Sequence, residues 1–196
     1  MKKLILSLLL IIISSLTYAQ DSVALEPLSY SKVVTLDKSI PADVIFEKLK
    51  AWVAKTFPAV GTNGAQYILE RKEIMTKGRI PYKTANLTWA ASSGYVSYDV
   101  DIRVKDGRFK IYLENFTHVS TDPDFPQGWS IGTIYNRTPT KKELKNMGMK
   151  TLYITQYFAV EKRVRPVCEE AWARVQTGLA SFLLSDINKE MDDDDW

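Results

Sequence analysis

YVSYDVDIRVKDGRFKIYLENF, the run from Tyr95 to Phe116, alternates apolar and polar residues on both sides of a single Asp-Gly pair. Val96, Tyr98, Val100, Ile102 and Val104 interleave with Ser97, Asp99, Asp101 and Arg103. Past Asp106-Gly107, Phe109, Ile111 and Leu113 interleave with Lys110, Tyr112 and Glu114. Successive side chains of a strand point to opposite faces, so this period marks half-buried strands, and Asp-Gly between two such runs marks a hairpin. A two-residue type I′ turn at Asp106-Gly107 sets Val104 against Phe109, Ile102 against Ile111 and Val100 against Leu113. All three pairs fall on one face, so turn chemistry and hydrophobic register agree. The same register places Asp99 opposite Glu114 on the other face.

An antiparallel sheet with one apolar face must be covered, and the flanking sequence supplies the cover. Ser29–Leu36 reads as a first strand. Asp37–Pro41 starts a helix, with Ser39 or a neighbour as cap and Pro41 at an early position where its missing N–H costs nothing. Ile45, Leu49, Trp52, Val53 and Phe57 form its single apolar face, and Pro58 and Gly61 end it. Ala65–Glu70 and Arg71–Tyr82 read as two more strands, the second blurred at its ends by Gly78 and Pro81. Asn86–Ala91 is a further strand candidate. Residues 120–152 form a long, largely irregular segment, with a short helix over Thr140–Met147 capped by Thr138 or Thr140. After Arg165-Pro166, Cys168, Trp172, Val175, Leu179 and Phe182 recur at helical spacing, predicting an amphipathic helix from Val167 to about Asn188, its extent upstream of Pro166 left open by the sequence. The expected fold is α+β, a two-layer sandwich. An antiparallel sheet of about five strands is covered on one face by two helices, in the order β-α-β-β-β-β-α.

The N-terminus reads as a targeting segment. Met1-Lys2-Lys3 is basic, Leu4–Ile13 is apolar, and Ser14–Ala19 supplies small residues, the pattern of a secretory signal peptide cleaved near Ala19. The apolar run is shorter than the roughly 20 residues that span a bilayer, and nothing later is apolar enough to do so. Residues 20–28 read as a flexible lead-in, 29–189 as one domain, and 190–196 as an acidic tail. Removing 19 residues from 196 leaves about 177, enough for one core. The formal charge of +3 falls to about +1 without Lys2 and Lys3. A near-neutral chain gives no electrostatic case for nucleic acid or an anionic membrane. The single cysteine, Cys168, forms no internal disulfide and reads as a small buried residue on the helical stripe.

YSKVVTLDKSIPADVIFEKLKAWVAKTF, a strand passing into a helix that ends in Trp52 and Phe57, precedes the short strands and the alternating hairpin. From Tyr30 to Thr121 this order resembles a family of secreted bacterial domains of unknown function with a TATA-box-binding-protein-like (TBP-like) fold. The resemblance implies the fold and an envelope location, periplasmic or extracellular, and it implies no activity. A minor-groove binder of that shape presents apolar wedges and basic side chains on its open sheet face. Here that face carries Ser97, Asp99, Asp101, Arg103, Lys110, Tyr112 and Glu114, a mixed and partly acidic set, and nucleic acid is excluded as a partner.

No catalytic constellation stands out. His118 is the only histidine and reads as an ordinary residue at a strand end. No zinc-ligand spacing occurs, and Asp122-Pro123-Asp124 offers calcium too few oxygens, so no metal or cofactor is expected. Glu70, Asp99, Asp101 and Glu114 are the strand-borne carboxylates from which an acid/base pair could be drawn. Trp52 and Trp172 sit on helical stripes as core residues, and Trp89 lies in the strand candidate. Trp129 sits in the long segment with Phe125, Ile131 and Tyr135 near it, where aromatic residues either line a binding surface or pin the segment to the domain. The expected function is a non-catalytic envelope module that binds a small ligand, glycan or protein through Trp129, Phe125 and Tyr135, beside Tyr112. The alternatives are an envelope hydrolase using sheet carboxylates and a structural subunit pairing through a sheet edge.

Overall fold

The computed structural model of the chain describes residues 24–57, 64–84, 91–121 and 129–183. The signal peptide at 1–19, the start of the lead-in, residues 86–90 of the strand candidate with Trp89, the Asp122-Pro123-Asp124 turn, Phe125 and the acidic tail lie outside the described residues. The elements follow as β1 (Tyr30–Thr35), α1 (Ala42–Thr56), β2 (Gln66–Ile68), β3 (Glu73–Tyr82), β4 (Gly94–Lys105), β5 (Arg108–Ser120), β6 (Gly132–Thr133), α2 (Lys141–Asn146) and α3 (Thr151–Phe182). The strands form one antiparallel sheet in the order β1-β5-β4-β3-β2, with β6 added beside the C-terminal end of β5.

The central hairpin has the register read from the sequence: Val104 faces Phe109, Ile102 faces Ile111, Val100 faces Leu113 and Asp99 faces Glu114. Its turn is not type I′, which needs positive φ at both central residues. Gly107 has φ +64, and Asp106 is not among the positive-φ residues. The turn is built into the tertiary structure instead. Gly107 donates to the Ile40 carbonyl and accepts from the Leu36 amide, and a Cβ there would lie 2.7 Å from the Lys38 Cα. Asp106 Oδ1 accepts from the Ala42 amide at 2.8 Å and so caps α1. Ser39, the cap expected from sequence, instead bonds Asp37 through both its amide and its hydroxyl. The helix is thus capped by a residue that is near in space and far in sequence.

A bulge then resets the face of β5. Ser97 pairs with Thr117 while Asp99 pairs with Glu114, so an extra residue enters β5, and Asn115 takes φ +56. Asparagine tolerates this left-handed conformation better than most residues. Strict alternation from Leu113 would have pointed Asn115 and Thr117 inward. With the bulge, Phe116 and His118 turn inward and both are fully buried.

The inner face carries the core. Ile74, Val100, Ile102, Phe109, Ile111 and Leu113 meet Ile45, Phe46, Leu49 and Val53 from α1 and Val164, Cys168, Val175 and Leu179 from α3. Each full burial of such a side chain contributes roughly 1.5–3 kcal/mol before entropy is counted. An aromatic ladder crosses this layer: Trp172 stacks on Tyr30 at 5.6 Å, Tyr30 meets Phe116 edge-on at 5.5 Å, and Phe116 stacks on Tyr98 at 5.2 Å. Tyr98 lies across Gly78, where a Cβ would fall 2.2 Å from its ring, so this glycine in mid-strand makes room for an aromatic ring. Trp172 therefore edges the core rather than filling it, and Ala171 takes the fully buried position.

Two sequence boundaries move. The last helix, whose extent upstream of Pro166 the sequence leaves open, begins at Thr151 and runs through that proline. Ile154, Tyr157, Val160 and Val164 extend the buried stripe upstream. Pro166 lies on the exposed side, where the bond it denies the Lys162 carbonyl can be replaced by water. The lead-in is pinned where it is described: Pro27 bridges to Tyr135, Leu28 is buried, and its amide donates to the Ile134 carbonyl at 2.8 Å. The long segment after Thr121 thereby becomes part of the sheet through β6. The α2 helix carries the capping box of Thr140 and Glu143, one of the two caps expected.

Candidate binding face

The helices pack on one side of the sheet and leave the other open. Residues of β3, β4 and β5 that point outward form rows across the strands, because cross-strand partners share a face. Glu73, Arg103 and Lys110 make one row; Met75, Asp101 and Tyr112 the next; Lys77, Asp99 and Glu114 a third; Arg79, Ser97 and Thr117 a fourth; Pro81, Tyr95 and Val119 the last.

Charges in these rows are interlocked. Lys77 Nζ lies 3.0 Å from Asp99 Oδ1, whose other oxygen accepts from Asn115 Nδ2 at 2.9 Å. Arg103 binds Asp101 Oδ2 through Nη2 at 2.6 Å and Nε at 3.0 Å, and also approaches Glu73. Asp101 Oδ1 is buried without a hydrogen-bond partner among the described residues. Two tyrosines are set among the cations. The Arg79 guanidinium lies 4.0 Å from the Tyr95 ring centroid, and Tyr112 is flanked by Lys110 at 4.4 Å and Arg103 at 5.2 Å. Such contacts are worth about 0.5–1 kcal/mol where exposed, and they hold the rings in place. Six residues of β4 separate the two tyrosine rows, roughly 20 Å at the strand rise.

Of the candidate carboxylates, Asp99 and Asp101 each face their own cation, Glu114 stands opposite Asp99, and Glu70, expected on a strand, lies in the exposed 3₁₀ turn Leu69–Arg71.

Residues 30–119 match DUF4468, a domain of unknown function with a TBP-like fold. The DUF4468 match covers β1 through nearly all of β5, the span in which the resemblance was read, and it leaves β6, α2 and α3 outside. A TBP-like protein from Parabacteroides distasonis is similar in structure, with 13% identity and a TM-score of 0.48 over 78% of this chain and 92% of that one. A DUF4468 family protein from Bacteroides ovatus is also similar, with 11% identity and a TM-score of 0.44 over 78% and 85%. No curated protein matches the sequence. The DUF4468 segment contains the open face with Tyr95 and Tyr112. The expected site residues of the long segment, Trp129, Phe125 and Tyr135, all follow it.

Trp129 and Tyr135 are both described, and each makes contacts of its own. Tyr135 directs its hydroxyl to Met147 Sδ at 3.7 Å and gives its carbonyl to Arg165. The half-buried Trp129 donates its amide to the Ala91 carbonyl at 3.2 Å. The bonds to Arg165 and Ala91 tie the segment to the domain. Phe125 lies outside the described residues.

His118 does more than sequence suggested. Its Nδ1 accepts from the Ile131 amide at 3.3 Å, so Nε2 carries the proton toward the Ser92 carbonyl at 2.9 Å. The ring also meets Tyr82 edge-on at 5.4 Å. Burial pushes this imidazole below its ordinary value, against a smaller upward pull from the Ser92 bond. A neutral histidine thus ties β5 to residues 92 and 131. The signal was the bulge, which strict alternation hides. Cys168 is buried, and desolvation pushes its thiol up to about 12, so it is packing material.

A concavity of about 390 Å³ lies beside α3 between Thr138, Phe158, Lys162, Pro166 and Glu169. The buried Glu161 carboxylate at its floor accepts from Thr138 and is ion-paired to Arg165, which also reaches the Tyr135 carbonyl at 3.0 Å. This buried pair fastens α3 to the segment after β6.

Proposed function

We propose that the protein is an exported, non-catalytic envelope module that binds an oligosaccharide along the open face of its sheet. One observation carries the reading: Tyr95 and Tyr112, each locked against cationic side chains, stand roughly 20 Å apart along β4. Tyrosine faces stack on the apolar faces of sugar rings, and the Ser97 and Asp99 side chains in the rows between them, with Asp101 beside Tyr112, suit hydroxyl groups. A separation of that size calls for an extended polar chain rather than a single small molecule. The signal-peptide pattern at 1–19 supports export, and the glycan-rich envelope is where such a chain would be met.

The test is native mass spectrometry of the full-length gene product recovered gently from its own envelope. The expected result is a chain beginning near Gln20 that carries an added mass in multiples of a sugar residue, and loses it in Tyr112→Ala and Tyr95→Ala with an unchanged unfolding midpoint. An intact Met1 would overturn the export reading. A peptide adduct, or a sugar adduct retained by both variants, would overturn the glycan reading of this face.

A further inference from the structure

The overall charge conceals a local concentration. From Arg137 to Tyr153 the sequence holds five basic residues against the single acid Glu143, a larger excess than the +3 of the entire chain. Glu143 is spent internally. Arg137 grips it at 2.6 and 3.0 Å, Thr140 donates to it from both amide and hydroxyl, and these bonds hold its carboxyl at about 2. Lys141, Lys142, Lys145 and Lys150 all remain exposed on α2 and the turn that follows it.

The same corner exposes apolar surface. Ile154 and Tyr157 of α3 turn inward onto Leu144 and make a small core of their own. The same first turn presents Leu152 at 74% exposure and Tyr153 at 49%, and Met147, a few residues earlier at the end of α2, is 50% exposed. Three of the eight large exposed hydrophobic residues of the described chain therefore lie within seven positions of one another. The capping box fixes α2, so lysines and apolar side chains are displayed together on a rigid corner.

We infer that the α2–α3 corner is a peripheral attachment site for an anionic lipid surface, with Leu152, Tyr153 and Met147 entering the headgroup layer and the four lysines meeting lipid phosphates. Exposed leucine and tyrosine at the start of a helix that follows a lysine-rich one is the chemistry that an interface between acyl chains and anionic headgroups rewards. An acidic protein would pair with the lysines but has no general need of the apolar group at the centre. No helix among the described residues is long and apolar enough to cross a membrane, so the attachment is lateral and reversible. This corner lies outside the DUF4468 match and is independent of the open sheet face.

The experiment is co-sedimentation of the full-length folded protein with vesicles of phosphatidylcholine alone or with a third phosphatidylglycerol. Binding is expected only to the anionic vesicles and should fall steeply with salt. Each Lys→Glu change should weaken it by about fivefold or more, from roughly 1 kcal/mol per basic residue at the surface. Leu152→Ser with Tyr153→Ser should weaken it at least tenfold. All these side chains are exposed, so the unfolding midpoint should stay within a few degrees, which separates lost attachment from lost fold. No binding, equal binding to neutral vesicles, or binding that survives the double serine variant would each overturn the inference. Binding to soluble polyglutamate but not to vesicles would do so too, and would give the patch to an acidic protein.

Discussion

The two faces of the sheet come from the same strands and obey different rules. On the covered face, Ile102, Ile111, Leu113 and Phe116 are sealed from water, and position is set by volume. On the open face, Arg103, Asp101, Lys77 and Asp99 are set by charge pairing and stay in contact with solvent. A volume error propagates because packed interiors have no slack. A charge error is screened and stays local. The covered face therefore fixes the fold, and the open face is free to specify what is bound.

The widest separation should appear between neighbours on β5. Phe116→Ala should cost about 3–5 kcal/mol, and Tyr112→Ala under about 1 kcal/mol while removing ligand binding. Urea denaturation of both variants measures this directly, and equal losses would break the distinction between the faces. A sharper probe is Gly78→Ala. A Cβ there meets the Tyr98 ring at 2.2 Å, so a loss of about 1–3 kcal/mol is expected, shrinking to a fraction of that when Tyr98 is already leucine. A strictly additive double-mutant cycle would show that the ring does not need the glycine.

The mildest effect concerns pH. The His118 imidazole is depressed in the folded state, so below its unfolded value of about 6.5 the unfolded chain binds more protons. Stability should be level above that value. It should decline as pH falls toward the folded value, by at most about 1.4 kcal/mol per pH unit. Urea midpoints between pH 5 and 7 should slope for the native protein and flatten for His118→Gln. A slope unchanged by that substitution would assign the effect elsewhere.

Sequence reading recovered what depends on local periodicity. The hairpin register, α1 and the C-terminal half of α3 follow from alternation or helical spacing in consecutive residues. It lost what depends on distant partners. The turn type at Asp106 yields to the cap that α1 requires, and the inward turn of His118 follows from one inserted residue at Asn115. Pro166 left the start of the last helix open, and the buried stripe from Ile154 to Val164 carries the helix through it. The candidate face was half legible. Alternation put Tyr112 and the carboxylates on the outside, but Arg79 over Tyr95 became visible only once β3 was registered against β4. The aromatic residues of the long segment drew attention by composition, and composition does not distinguish a ring that binds from one that anchors.

The bond from Ala42 to Asp106 also orders events in time. It spans 64 residues, so the N-terminal turn of α1 is completed by a part of the chain that is synthesised much later. An isolated helix of 15 residues is marginal in water and gains little before its tertiary partners arrive. The hairpin, by contrast, closes on neighbouring residues, at a small loss of chain entropy. Folding should therefore begin in the middle of the chain and recruit its N-terminal helix afterwards. A chain with that order keeps its leading end unfolded while its centre is still being made.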